Sequence, residues 1–170
     1  MTSAQASATE HDRLIAALDA NRTHILQAID GLDDEQLRRP TLPSGWSLIG
    51  LIRHLTLADE RYWFDSIVGG APFGWFPEEP GADWIVDDDE SVADVIAEYK
   101  AEIERSNTTL RAARLDGPPR QRDPLWDEWG IDFPDVRYIA LHMLTETAVH
   151  AGHVDAVREL IDGKQWIVLT

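Results

Sequence analysis

The hydrophobic pattern of the chain divides it into four long helical segments. Apolar side chains return every three or four residues, the period of an amphipathic α-helix, over about residues 9–32, 46–68, 91–116 and 134–161. Ser91 is the candidate N-cap of the third segment, and Gly163 is the candidate C-cap of the fourth. No alternating pattern of useful length indicates a strand. The sequence therefore predicts an all-α fold, a four-helix bundle.

The two connections on either side of the third helix are unusually long. Segments 69–90 and 115–133 each have about 20 residues, whereas compact domains commonly use about 4–6. Both are rich in aromatic residues: Phe73, Trp75, Phe76 and Trp84 in the first, and Trp126, Trp129 and Phe133 in the second. Such loops fold back over the rest of the molecule. They are interpreted either as a hydrophobic lid over a pocket or as plugs for the ends of the bundle.

Composition narrows the classes of protein to consider. The chain has 170 residues, 44% of them apolar, which suits one domain over residues 1–170 with a flexible N-terminus at 1–8. Its 31 acidic residues against 15 Lys and Arg give a net charge of −16, which would repel nucleic-acid phosphates. The sequence has neither signal-peptide features nor an apolar run of membrane-spanning length. We therefore expect a cytoplasmic protein with no nucleic-acid or membrane partner.

The chain contains no cysteine. This excludes disulfides, thiolate zinc fingers, iron–sulfur clusters and a cysteine nucleophile. Any metal ion must therefore be held by His, Asp or Glu.

Four titratable residues of the last predicted helix lie on its apolar side. His142, Glu146, His150 and His153 fall within about 80° of one another on an α-helix, on the face that carries Ile139 and other apolar residues. Burying a carboxylate or imidazole without compensation costs several kcal/mol. We therefore expect these groups to be paired or to coordinate a metal ion.

This face, together with a histidine of the second helix, provides three candidate metal ligands. Glu146 and His150 have the i, i+4 spacing that lets two side chains reach one ion, and His54 faces the core from the second helix. Two His and one Glu leave an open coordination position, as in catalytic zinc sites. His153 is a fourth ligand, an orienting group or a general base. His142 is either an outer partner or a hydrogen-bonding core residue.

An interpretation without metal remains open at this stage. The guanidinium groups of Arg53, Arg61 and Arg137 are candidate partners that would satisfy Glu146 without any ion. A single histidine on a helix is more often a core or surface residue than a ligand.

Two segments resemble the DinB/YfiT-like superfamily of metalloenzymes, in its actinobacterial branch. Residues 42–64 (LPSGWSLIGLIRHLTLADERYWF) resemble its second-helix motif, and residues 142–163 resemble its fourth. The resemblance implies an up-down-down-up bundle with ligands at His54, Glu146 and His150. The first position of the helix-four pair is usually His, but the metal-binding domain of mycothiol-dependent maleylpyruvate isomerase also uses two His and one Glu. Zinc is the expected metal, with nickel, iron and manganese as alternatives.

The resemblance also implies a type of reaction. Relatives of known activity include S-transferases that use low-molecular-weight thiols such as mycothiol or bacillithiol. A cation with an open position lowers the pKa of a bound thiol, so the leading hypothesis is a metal-dependent thiol S-transferase acting on an electrophilic substrate, with His153 as the catalytic base or orienting group. The alternatives are a metal-dependent hydrolase of a small ester or amide, and a non-catalytic metal-binding or stress-response protein that forms a homodimer through an apolar helix face.

Overall fold

The structure is a computed structural model that describes residues 3–73, 75–77 and 79–166, with side chains from residue 10 onward. Every regular element in these ranges is helical. The elements are α1 (Ser3–Ile29), α2 (Asp34–Arg38), α3 (Leu48–His54), a π-helix (Leu55–Val68), a 3-10 turn (Ala82–Trp84), α4 (Val92–Ala112), α5 (Leu125–Trp129) and α6 (Val136–Asp162). The prediction of an all-α fold is confirmed.

The helix boundaries largely follow the predicted start and stop signals. The Ser91 side chain accepts a hydrogen bond from the Asp94 N–H at the start of α4, and Gly163 ends α6 with φ of 78°. Three boundaries differ by several residues: α1 begins at Ser3 rather than near Thr9 and ends at Ile29 rather than at 32, and α4 ends at Ala112 rather than at 116. Residues 1–2 and the side chains of 3–9 lie outside the described part, so the prediction for residues 1–8 stays a prediction.

The second long helix changes type partway along. It is α-helical over Leu48–His54 and π-helical over Leu55–Val68, where backbone bonds span five residues, as from the Gly69 N–H to the Phe64 carbonyl (2.8 Å). A π-helix has more residues per turn than an α-helix, and such segments are frequent at functional sites. Side chains beyond His54 therefore point in directions that an α-helical projection does not predict.

Contacts between helices establish the direction of each long helix. The salt bridges Arg137–Glu10 and His24–Asp155 show that α1 and α6 run in the same direction. The second long helix, formed by α3 and the π-helix, also runs in the same direction as α4, because Arg53 pairs with Glu98 and Arg61 with Glu98 and Glu102. These pairings fit the up-down-down-up bundle that the resemblance implies.

The core consists of two apolar clusters with a polar layer between them. One cluster joins α3 to the C-terminal halves of α1 and α6, and the other joins the π-helix to α5 and to the N-terminal half of α6. Between them lie buried polar residues from four helices: Arg22, Asp59, Glu60, Ser106, Asn107, Thr147 and His150. Since buried polar groups destabilise a fold unless they are paired, this layer is the place to look for function.

The aromatic residues of the two long connections have different environments. Trp126 and Phe133 are buried in the second apolar cluster and plug that end of the bundle. Trp84 packs against the first cluster, while Phe73 and Phe76 are half-buried. Among the described residues, no helix combines the length and apolar character needed to cross a bilayer.

The first connection is held tightly against α3 at Gly50. A Cβ atom at this position would lie 2.4 Å from the Trp84 carbonyl oxygen, so Gly50→Ala must displace the 3-10 turn. We expect a loss of about 1–3 kcal/mol in the free energy of unfolding, measured by urea denaturation. Gly152→Ala is the matched control, because a Cβ there meets no atom within 4 Å and Ala favours a helix by about 0.5–1 kcal/mol. Equal effects of the two substitutions would contradict this packing.

Candidate metal centre

His54 is the last residue of α3 and is oriented by a carboxylate from the first connection. Its Nδ1 lies 2.5 Å from Oδ2 of Asp83, which is itself buried in the 3-10 turn. The Trp84 ring stacks on the imidazole, with centroids 4.0 Å apart and planes inclined by 17°. A carboxylate on one ring nitrogen fixes the ring and leaves Nε2 free to bind a ligand.

Asp59 enters the site from the first turn of the π-helix. Its side chain is only 5% exposed, and Oδ2 has no hydrogen-bond partner among the described residues. An α-helical projection places Asp59 on the side of the helix away from His54. The wider π-helical turn instead carries Asp59 into the polar layer of the core.

His150 completes the cluster from α6. It is 8% exposed, and its ring centroid is 5.1 Å from that of His54. One ligand atom from each of His54, Asp59 and His150 can be chosen so that all three lie within 4.8 Å of one another. Imidazole nitrogens and a carboxylate oxygen at this spacing suit a divalent cation of the zinc type.

The pattern of unsatisfied atoms fits a metal ion at this position. Within the described part of the chain, three buried side-chain polar atoms lack a hydrogen-bond partner: Asp59 Oδ2, His150 Nδ1 and the Tyr99 hydroxyl. Two of these three belong to residues of the cluster. Buried polar atoms in native proteins are nearly always satisfied, so a bound cation is a physical explanation for such a pair.

The electrostatics of the cluster also favour a cation. Burial lowers the pKa of His150 to about 4, with His54 and His153 adding to the effect, so this imidazole is neutral at pH 7. Burial likewise lowers the pKa of His54, against the opposing effect of Asp83. Burial, followed by the Glu60 and Glu146 carboxylates, raises the pKa of Asp59 well above its usual value. The site therefore offers neutral nitrogen ligands and a carboxylate that needs a neighbouring positive charge.

The other titratable residues of α6 lie at the edge of its buried face. The Glu146 side chain is 42% exposed and the His142 side chain 31% exposed, with 3.9 Å between Glu146 Oε1 and His142 Nδ1. His153 is exposed, and its ring centroid is 5.6 Å from that of His150. The prediction that all four share the buried face is therefore wrong for His153, while His142 and Glu146 are half-buried, and the His142 ring contacts Trp63 and Phe133. The buried stripe is centred near Met143, Thr147 and Val154.

The arginines proposed as alternative partners of Glu146 bind other carboxylates. Arg53 pairs with Glu90 and Glu98, and Arg61 with Glu98 and Glu102. Arg137 pairs with Glu10. Glu146 instead acts electrostatically on both His54 and Asp59, which places its charge beside the cluster. Its role as a metal ligand stays a prediction.

The sequence analysis missed two carboxylates of the site. Asp59 was missed because α-helical periodicity was assumed through a π-helical segment. Asp83 was missed because it lies in a loop, where periodicity gives no direction. An adjacent Asp-Trp pair in an otherwise irregular segment was the available signal, since Asp83 and Trp84 both contact His54.

Comparison with known protein families assigns the chain to a family. The family model for mycothiol-S-transferase matches residues 13–163, most of the chain. The chain belongs to the mycothiol S-transferase family. This family is DinB/YfiT-like, so the resemblance seen in segments 42–64 and 142–163 is confirmed. Comparisons with curated proteins and with solved structures give no significant match.

Membership of the mycothiol S-transferase family gives the cluster a chemical context. It implies that the small-molecule substrate is a thiol, and the chain has no cysteine of its own to supply the sulfur. The matched range includes His54, Asp59, Asp83 and His150.

Proposed function

We propose that this protein is a divalent-metal-dependent S-transferase of the cytoplasm that joins a low-molecular-weight thiol such as mycothiol to an electrophilic substrate. The observation that carries the proposal is the cluster of His54, Asp59 and His150 with unpartnered buried atoms, in a chain of this family. Zinc is the proposed metal because of the nitrogen and carboxylate ligands. Nickel, iron and manganese are the alternatives to be tested.

The protein contributes an ordered set of donors. His54 and His150 supply the nitrogen ligands. The carboxylate ligand is Asp59 by its place in the cluster, or Glu146 as the sequence predicts. A cation held there would supply Lewis acidity, lowering the pKa of the thiol so that a thiolate forms at neutral pH.

The remaining residues have supporting roles in this proposal. Asp83 holds the His54 ring by its hydrogen bond to Nδ1. His153, exposed beside His150, accepts the thiol proton or orients the thiol. Trp84 covers one face of His54 and excludes water from it.

Metal removal tests the proposal directly. Protein purified without a metal-affinity tag should contain one equivalent of divalent metal and should conjugate mycothiol to 1-chloro-2,4-dinitrobenzene. Treatment with a chelator should abolish this rate, and zinc should restore it. Turnover that does not need the thiol would favour a hydrolase instead. Absence of stoichiometric metal, together with full activity after chelation, would refute the metal-dependent mechanism.

Asp83→Ala is expected to weaken metal binding without unfolding the protein. Loss of a carboxylate that orients a ligating histidine typically costs about 10–100-fold in metal affinity. Competition with a chromophoric chelator measures this affinity. Asp88→Ala is the matched control, because Asp88 is exposed in the same connection. If both variants bind metal with the wild-type affinity, Asp83 does not position His54.

A further inference from the structure

A cavity on the second long helix is lined by aromatic rings from three segments. We call it the aromatic pocket; its main walls are Tyr62, Trp63, Phe73, Phe76, Trp126 and Trp129. Its volume is about 550 Å³, within the range of about 300–1,000 Å³ that small-molecule sites occupy. The floor is rigid, since Trp126 is fully buried and stacks on Trp63 with centroids 5.6 Å apart.

Two polar side chains that line this pocket, Tyr62 and Asp123, are bonded to each other and to neighbouring groups. The Tyr62 hydroxyl donates to Oδ2 of Asp123 at 2.8 Å and accepts from the Trp126 Nε1–H at 3.2 Å. The other oxygen of Asp123 accepts the Leu125 N–H at 2.9 Å. A ligand therefore meets mainly aromatic rings and apolar side chains. The wall nearest solvent carries apolar side chains that are 38–58% exposed: Leu125, Trp129 and Ile131.

Residues at four-residue intervals on two helices lead from the cluster of His54, Asp59 and His150 toward the aromatic pocket. On the second long helix, His54, Ala58 and Tyr62 follow one another at four-residue intervals, and Ala58 lines the pocket. On α6, His150, Glu146 and His142 follow one another in the same way, and the His142 ring lies 5.0 Å from that of Trp63. The aromatic pocket therefore begins at Ala58, which is next to Asp59 in the chain and four residues from His54.

We propose that the aromatic pocket binds the apolar part of the electrophile, so that this protein prefers uncharged aromatic electrophiles over small or anionic ones. This rests on the proposed function. The Asp123 carboxylate in the pocket wall and the Glu146 carboxylate beside the cluster disfavour an anion, and the ring-lined walls favour stacking with a flat ligand.

The transfer is a displacement at the electrophilic carbon. A bond forms between the thiol sulfur and that carbon as the bond from the carbon to its leaving group breaks. The leaving group departs with the bonding electron pair, and the thiol proton passes to the solvent, through His153 where that imidazole accepts it. In this proposal the pocket holds the apolar ring of the electrophile, and the cluster of His54, Asp59 and His150 holds the thiol.

Binding of a non-reactive probe tests the pocket independently of catalysis. The uncharged fluorophore N-phenyl-1-naphthylamine, added to the full chain without thiol, should bind saturably. Trp129→Ala should raise its Kd about tenfold, because an exposed wall is removed while the buried floor stays. Leu160→Ala is the matched control, since Leu160 is 60% exposed on α6 but does not line the pocket. This variant should bind the probe as wild type does.

Kinetic selectivity tests the assignment of the substrate. The ratio of kcat/KM for 1-chloro-2,4-dinitrobenzene to that for iodoacetamide should fall at least tenfold in Trp129→Ala and stay unchanged in Leu160→Ala. An unchanged ratio in Trp129→Ala would overturn the assignment while leaving the transferase intact. Saturable, Trp129-dependent probe binding without any conjugation would support the pocket and refute the proposed reaction. A dimer that Trp129→Ala dissociates, with no probe binding by wild type, would assign this face to a second copy and overturn the proposal.

Discussion

His150→Ala is expected to remove the bound metal and to lower kcat/KM for thiol conjugation at least about 100-fold. His150 is the nitrogen donor that α6 contributes to the cluster, and burial keeps its imidazole neutral and able to bind a cation. Metal content by elemental analysis and conjugation kinetics are the measurements. Helix content by circular dichroism should stay at the wild-type value.

A matched histidine substitution separates ligand loss from general damage. His24→Ala removes an imidazole that bonds to Asp155 and stacks on Trp166, outside the cluster. This variant should keep its metal and its activity. If His150→Ala retains stoichiometric metal, the cluster is not the metal centre.

Two variants, one at Asp59 and one at Glu146, test which carboxylate is the metal ligand. Asp59→Asn should lower metal affinity by at least about 100-fold, because Asp59 is buried within 4.8 Å of both nitrogen ligands. Glu146→Gln should lower it less, because the Glu146 side chain is 42% exposed and lies beside the cluster. The reverse order would establish Glu146 as the ligand, as the helical spacing predicts.

The site was predictable from sequence where helical geometry is regular. His54 and His150 lie in α-helical segments, so their phase relative to the apolar stripe correctly indicated that they face each other. Glu146 was predicted to lie on the same buried face of α6. The centre of that face lies to one side of Glu146, so its side chain is at the edge of the face and partly exposed. For a residue near the edge of a helical face, a small error in the predicted direction of that face is enough to make the predicted burial wrong.

The rest of the site depends on features that periodicity does not encode. The π-helix rotates Asp59 into the core, and nothing in the spacing of apolar residues distinguishes it from an α-helix. Asp83 reaches His54 only because the first connection is packed against Gly50. Arg22 and Glu60 were not identified as buried, because charged residues on a helix are most often solvated.

Arg22→Met is expected to lower the free energy of unfolding by about 3–5 kcal/mol, the typical cost of breaking a buried ion pair. Arg22 and Glu60 are each only 2% exposed. Arg22 Nε donates to Glu60 Oε1 at 2.7 Å, and Arg22 Nη2 donates to Glu60 Oε2 at 2.5 Å. Arg22 Nη1 donates to Asn107 Oδ1 at 2.8 Å. Removing the guanidinium leaves a carboxylate and an amide in the core without these donors. Urea denaturation measures this loss in the free energy of unfolding, and the m-value should stay the same as in the wild type.

Two further variants identify the unpaired charge as the cause. Arg114→Met breaks an ion pair whose side chains are 82% and 66% exposed, so its effect should stay within about 0.5 kcal/mol. The double variant Arg22→Met, Glu60→Leu replaces both charges by apolar groups and should recover most of the stability lost by Arg22→Met alone. If it is less stable than the single variant, lost packing rather than an unpaired charge dominates. Recovery would mean that the polar layer around the cluster of His54, Asp59 and His150 depends on each buried charge keeping its partner.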